Sequence, residues 1–182
     1  MSISFRFMVL FIALSIISIK LRAKTGCSVP VIRIAEHMSE DMMKELVFYA
    51  KALGINDATT IQVRYSLRLT GLKNGLIQYE KTGFGKEQHQ VMIWINRRLT
   101  SSEQSMTLAH EMVHAAQYIH GSLEDNGQNV TWLGESYDVD RIHYEDRPWE
   151  KEAHEWAHEL RSAYLSGARE LKKDQTSLEE LM

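Results

Sequence analysis

Residues 107 to 121 read TLAHEMVHAAQYIHG and contain His110-Glu111-x-x-His114. Two histidines four apart on an α-helix differ by roughly 40° in azimuth, so both rings reach one ion on the same side. A single zinc held that way needs one further protein ligand and an open position for water. Glu111, beside the first histidine, is placed to take that water's proton. The flanking Thr107, Leu108, Ala109, Met112, Val113, Ala115 and Ala116 are uncharged, as suits a buried helix. The plainer reading of the same residues is a core helix whose histidines only satisfy hydrogen bonds.

The spacing occurs twice, because His154-Glu155-Trp156-Ala157-His158 spells the same pattern. Azimuth separates the copies. Trp149, Ala153, Trp156, Ala157, Leu160, Ala163 and Tyr164 form one apolar stripe, and at roughly 100° per residue His154 and His158 fall more than about 120° from its centre. The second copy is therefore expected on a solvent face. Cys27 is the single cysteine, so any metal must be held by His, Asp and Glu.

The third ligand has several candidates. His110-Glu111-x-x-His114-x-x-Gln117-x-x-His120 resembles the metzincin signature, with glutamine in place of the glycine that lets that helix break and the last histidine turn back. With Gln117 the helix runs on, and His120 lies roughly 12 Å along the axis from the other two, out of reach. A downstream methionine turn is also missing, since the one methionine after Met112 is Met182.

Residues 148 to 157, PWEKEAHEWA, offer a glutamate instead. Here the chain resembles the gluzincin metallopeptidases, in which a second helix contributes a glutamate followed by a small residue. The run Glu150-x-Glu152-Ala153-x-x-Trp156-Ala157 looks like the E-x-E-A-x-x-F-A pattern of the ImmA/IrrE-type bacterial and phage peptidases. The resemblance covers about Val91 to Tyr164. It implies a zincin-like α+β fold, with a small antiparallel sheet packed on the histidine helix and a second ligand-bearing helix after it. It further implies zinc on His110, His114 and Glu152, Glu111 as general base, and hydrolysis of peptide bonds. Glu152 lies roughly 75° from the centre of the apolar stripe, a boundary position compatible with that role, and Glu159 is the reserve. In such enzymes the strand before the histidine helix pairs with an extended substrate, which would place a peptide along Val91 to Ile95. Tyr137, His143 and Tyr144 are candidates for the oxyanion donor that the reaction requires.

Two other readings use the same residues. Glu111-x-x-His114 and Glu155-x-x-His158 are paired as in ferritin-like di-iron bundles, which add a glutamate from each of two more helices. A zincin fold that serves only as a binding module is the other.

The elements that must position these groups can be read from periodicity. Ser39 to Leu53 has acidic residues first, apolar residues at helical spacing and Gly54 after it, and predicts a helix. Thr60 to Leu69, Leu76 to Glu80 and Val91 to Ile95 read as three strands of an antiparallel meander. Thr100-Ser101-Ser102-Glu103 fits a capping box for the histidine helix, which Gly121 should end. Residues 121 to 147 read as a polar, irregular loop containing the sequon Asn129-Val130-Thr131. Pro148 opens a last helix to about Ser166.

Of the 182 residues, 44% are hydrophobic and 25% charged, ordinary for one globular core. The net charge of -3 gives no electrostatic reason to expect nucleic acid as a partner. Phe7 to Ile19 is an apolar run of ~13 residues, too short for a spanning helix but long enough for a signal-peptide core. The chain divides on this reading into a 1–27 signal peptide or membrane anchor, a 28–166 zincin-like domain and a 167–182 charged tail. Export or membrane association through residues 7–19 follows if that run is a targeting segment, and a cytoplasmic location if it is not.

Overall fold

The computed structural model describes residues 30–34, 38–56, 58–69, 74–82 and 88–179, the side chains as far as residue 168. The 1–27 segment lies outside them. Among the described residues no helix is long and apolar enough to cross a membrane. The described residues form a mixed α+β architecture with three α-helices and two small sheets.

The first sheet holds β1 (Val31–Ile34), β2 (Thr59–Ser66), β3 (Gly75–Thr82) and β4 (Gln88–Asn96) in the order β1-β2-β4-β3. It is not the meander that the strand succession suggests. β4 pairs parallel with β2 and antiparallel with β3, and β1 pairs parallel with β2. The reason lies in composition. Val91, Ile93 and Ile95 of β4 are buried, and the most apolar strand gains most from neighbours on both edges. β3 alternates half-buried residues with exposed Leu76, Gln78 and Glu80, which suits an edge. Val91 to Ile95 is therefore interior, and the strand at the sheet's margin beside the histidine helix is β3.

Three helices share the sheet's core. In α1 (Glu40–Ala52) the Ser39 hydroxyl caps the N-terminus by accepting from Met42 N–H, and Met42, Leu46, Tyr49 and Ala50 are buried at the expected spacing. The histidine helix α2 (Ser101–Ile119) starts with the anticipated capping box. Glu103 N–H donates to Thr100 Oγ1 and Thr100 N–H donates to Glu103 Oε2. It ends in a Schellman turn: Ser122 N–H reaches Gln117 O, Gly121 N–H reaches Tyr118 O, and Gly121 takes φ +72°. The last helix α3 (Pro148–Glu179) runs well past Ser166. Gly167 costs roughly 1 kcal/mol relative to alanine inside a helix, and Ala168-Arg169-Glu170-Leu171-Lys172-Lys173 after it are strong helix formers.

Leu108, Met112, Ala115 and Ala116 of α2 share one core with Ala153, Trp156, Ala157 and Leu160 of α3. The small alanines let the two helix backbones approach closely. Arg161 of α3 also donates to the hydroxyls of Ser102 and Ser105 at the start of α2.

Residues 121 to 147 are more ordered than their polarity suggests. They fold into a second sheet, β5 (Leu123–Asp125), β6 (Asn129–Trp132) and β7 (Glu135–Asp138), antiparallel in that order. β6 and β7 are joined by Leu133 and Gly134, both at positive φ, as a tight two-residue hairpin requires. Leu123, Val130 and Trp132 form a small second core with Trp149, the residue before Glu150. This sheet thus fixes the entry of α3.

Candidate metal centre

Three side chains from two helices converge. His110 Nε2 and His114 Nε2 of α2 lie 3.1 Å apart. Glu150 Oε2 of α3 lies 3.3 Å from the first and 3.2 Å from the second. Their side chains are only 7% to 12% exposed. Zinc bonds of ~2.0–2.1 Å in tetrahedral geometry separate neighbouring ligand atoms by roughly 3.3 Å, so this near-equilateral triangle has the dimensions of one face of such a site. The donor set of two imidazoles and a carboxylate is also one that zinc accepts.

The carboxylate in the triangle is Glu150, not Glu152. Glu152, expected as the third ligand, stands on the other flank of α3, where its Oε2 accepts from Gln117 Nε2 at 2.9 Å. Gln117 Nε2 also donates to Trp149 O at 3.1 Å, and its Oε1 lies 2.7 Å from His114 Nδ1. His110 Nδ1, in contrast, is buried with no hydrogen-bond partner among the described residues. A ligand histidine ordinarily has its second nitrogen held, and here that holds for His114 alone.

The other expectations sort as follows. Glu111 is buried beside the histidines, and a Cβ added at Gly75 of β3 would collide with its carboxylate and come within 2.6 Å of Thr107 Cγ2. The margin of the sheet thus passes directly over the candidate base. His120 caps α2 and its Nε2 lies 3.0 Å from Leu53 O, away from the triangle, as the helix geometry requires. In the second copy of the motif His154, Glu155 and His158 are exposed. His154 still comes close, its ring centroid 4.6 Å from that of His110. Glu159, the reserve ligand, is exposed. Tyr137 packs edge-on against Trp149 and donates to Glu135. His143 is exposed, while the Tyr144 phenol is electrostatically coupled to the Glu150 carboxylate and its ring lies 5.7 Å from the Arg147 guanidinium.

The electrostatics of the trio are tightly linked. Burial by itself would raise Glu150, but hydrogen bonds from His110, His114 and Tyr144 hold its carboxyl well below the usual range. Burial lowers the pKa of His110, and the neighbouring His114 and His154 add to that against the pull of Glu150. Burial works on His114 in the same direction, yet Glu150, Glu111 and Gln117 outweigh it and leave its pKa raised. Burial, then Glu150, pushes the Tyr144 phenol up, so it stays a donor at neutral pH. A buried carboxylate kept ionised needs a cation beside it, and an isolated one would cost several kcal/mol. A proton on His114 would meet that need, and so would a divalent metal in the same place.

Glu150 carried a signal in the sequence, the Glu-x-Glu repeat itself. What the sequence lacked was the side of α3 that faces α2. No family model, curated protein or solved structure matches this chain.

Proposed function

We propose that this protein is a zinc-dependent peptidase of zincin type, in which His110, His114 and Glu150 are the metal ligands and Glu111 is the general base. The observation that carries the reading is the triangle of ligand atoms at 3.1–3.3 Å, assembled from two helices and largely but not wholly shielded from solvent. Zinc in that position supplies a positive charge that polarises a carbonyl and makes a water acidic near neutral pH. Glu111 is adjacent to the first ligand, and its charge is felt at both His114 and Tyr144. Its carboxylate accepts the proton of the attacking water and returns it to the leaving amine. Tyr144, the one oxyanion candidate that reaches the ligand cluster, donates its O–H toward the developing negative charge.

The substrate is a peptide in extended form. Asn96 N–H bonds Asn74 O, so in the antiparallel β3–β4 pairing the even-numbered residues of β3 turn their backbone groups toward β4. Gly75 and Ile77 then turn theirs outward, next to Glu111. A substrate strand added there would lie across the ligand cluster, with β3 in the role that the sequence assigned to Val91–Ile95.

The test is a pool of degenerate decapeptides incubated with the zinc-loaded full chain, the products sequenced by mass spectrometry. Internal cleavage that disappears on chelation and in Glu111→Gln, while Glu111→Gln keeps its zinc, is the expected result. Cleavage that persists in Glu111→Gln, or none with zinc bound, would remove the peptidase reading.

A further inference from the structure

We infer that Gln117 and Glu152 form a positioning pair that dictates which nitrogen of His114 faces the ligand cluster, and thereby how tightly the site holds its metal. The inference rests on His110, His114 and Glu150 being the ligands.

A glutamine amide has one end that only donates and one that only accepts. One end of the Gln117 amide lies 3.1 Å from Trp149 O and 2.9 Å from Glu152 Oε2. Both are acceptors, so that end must be the NH2. The end 2.7 Å from His114 Nδ1 is then the oxygen, which can only accept. His114 Nδ1 must therefore carry a hydrogen. In the neutral ring this leaves the lone pair on Nε2, the atom 3.1 Å from His110 Nε2 and 3.2 Å from Glu150 Oε2. Turning the amide over would set oxygen against two acceptors. With Gln117 4% and His114 6% exposed, water cannot readily substitute for the amide.

The same side chain ties the two ligand helices together. Gln117 is on α2, one turn beyond His114, and it grips the carbonyl of Trp149, the residue before Glu150 on α3. Glu152 completes the grip from the far flank of α3. A residue whose type resembles a ligand thus acts through Gln117 on one. His110 has no counterpart to this pair among the described residues, so the geometry makes His114 the better-held ligand.

The test combines zinc affinity, measured by chelator competition on the full chain, with the nitrogen-15 shifts of His114 in zinc-loaded and metal-free protein. Gln117→Ala is expected to weaken zinc binding roughly 10- to 100-fold and to abolish the preference for the Nδ1–H form. Glu152→Gln replaces a pure acceptor by an amide that can also donate and leaves the Trp149 carbonyl as the one fixed acceptor, so it should weaken the Nδ1–H preference with a smaller loss of affinity. In the double variant Gln117→Glu/Glu152→Gln, the new carboxylate accepts from both His114 and the new amide, and recovery of the ring form is expected, with the affinity recovered only in part because the Trp149 carbonyl loses its donor. Wild-type ring form and affinity in Gln117→Ala, or a double variant no better than Gln117→Ala, would overturn the pair's role. Should Gln117→Ala fail to fold, Glu152→Gln at the half-buried rim decides alone. If the wild-type chain takes up no zinc, the metal reading fails, while the shifts of metal-free His114, taken at a pH where its ring is neutral, still decide the assignment.

Discussion

Glu150 and Glu152 stand roughly 75–80° from the centre of the apolar stripe on α3, on opposite flanks, so helical azimuth could not choose between them. The choice falls to packing. The flank that carries Glu150 meets His110 and His114, and the flank that carries Glu152 meets Gln117. Burial agrees, since Glu150 is 7% exposed and Glu152 only half-buried. His110, Glu111 and His114 were legible because their spacing is local to one helix. The third ligand was not, because it depends on how two helices are rotated against each other. At this scale Tyr144→Phe is a clean probe. It removes a hydroxyl coupled to Glu150 without removing a ligand, so zinc content should stay at one per chain while kcat falls roughly 10²–10³-fold. An unchanged kcat would show that the oxyanion is held by another group.

Among the elements, α1, α2 and the start of α3 are where periodicity and caps placed them, since each carries its own stop and start signals: Ser39, Thr100 with Glu103, Gly121 and Pro148. Strand order is different in kind. Nothing local in the β2, β3 and β4 sequences states that β4 slides between the other two, and only the requirement to bury Val91, Ile93 and Ile95 from both edges decides it. One consequence concerns Gly75, where β3 crosses the Glu111 carboxylate. Gly75→Ala should shift that carboxylate. Peptidase activity is expected to fall at least tenfold with zinc retained, at a stability cost of roughly 1–3 kcal/mol measured by urea denaturation. The second consequence concerns the β5–β7 sheet. Trp132, 7% exposed, packs in the small core with Trp149, and Trp132→Ala should cost about 3–5 kcal/mol and weaken zinc binding by loosening the entry of α3. Zinc affinity unchanged in Trp132→Ala would show that this sheet does not position Glu150.

At the scale of the whole molecule, the ligands bridge parts otherwise coupled by apolar contact and the Gln117 hydrogen bonds: α2, which belongs to the main core, and the first turn of α3, which the second core anchors. A metal bound there cross-links them, and binding to the folded state alone stabilises it by about 4 kcal/mol at a thousandfold excess over Kd. For a chain of this size that is an upward shift of about 10 °C in Tm, which chelation should reverse and Glu150→Ala should abolish. The coarse α+β organisation could be read from the sequence because helical and strand periods alternate clearly between residues 39 and 166. The order within residues 121 to 147 could not, because its strands are only three or four residues long and their apolar side is completed by Trp149, supplied from another element. The most direct measurement is metal content by mass spectrometry of the untagged full chain beside Glu150→Ala and Glu152→Ala. One zinc per chain in the wild type, absent from Glu150→Ala and retained, more weakly held, in Glu152→Ala, is the expected result. Zinc retained by Glu150→Ala, or no zinc in the wild type, would contradict the His110–His114–Glu150 centre.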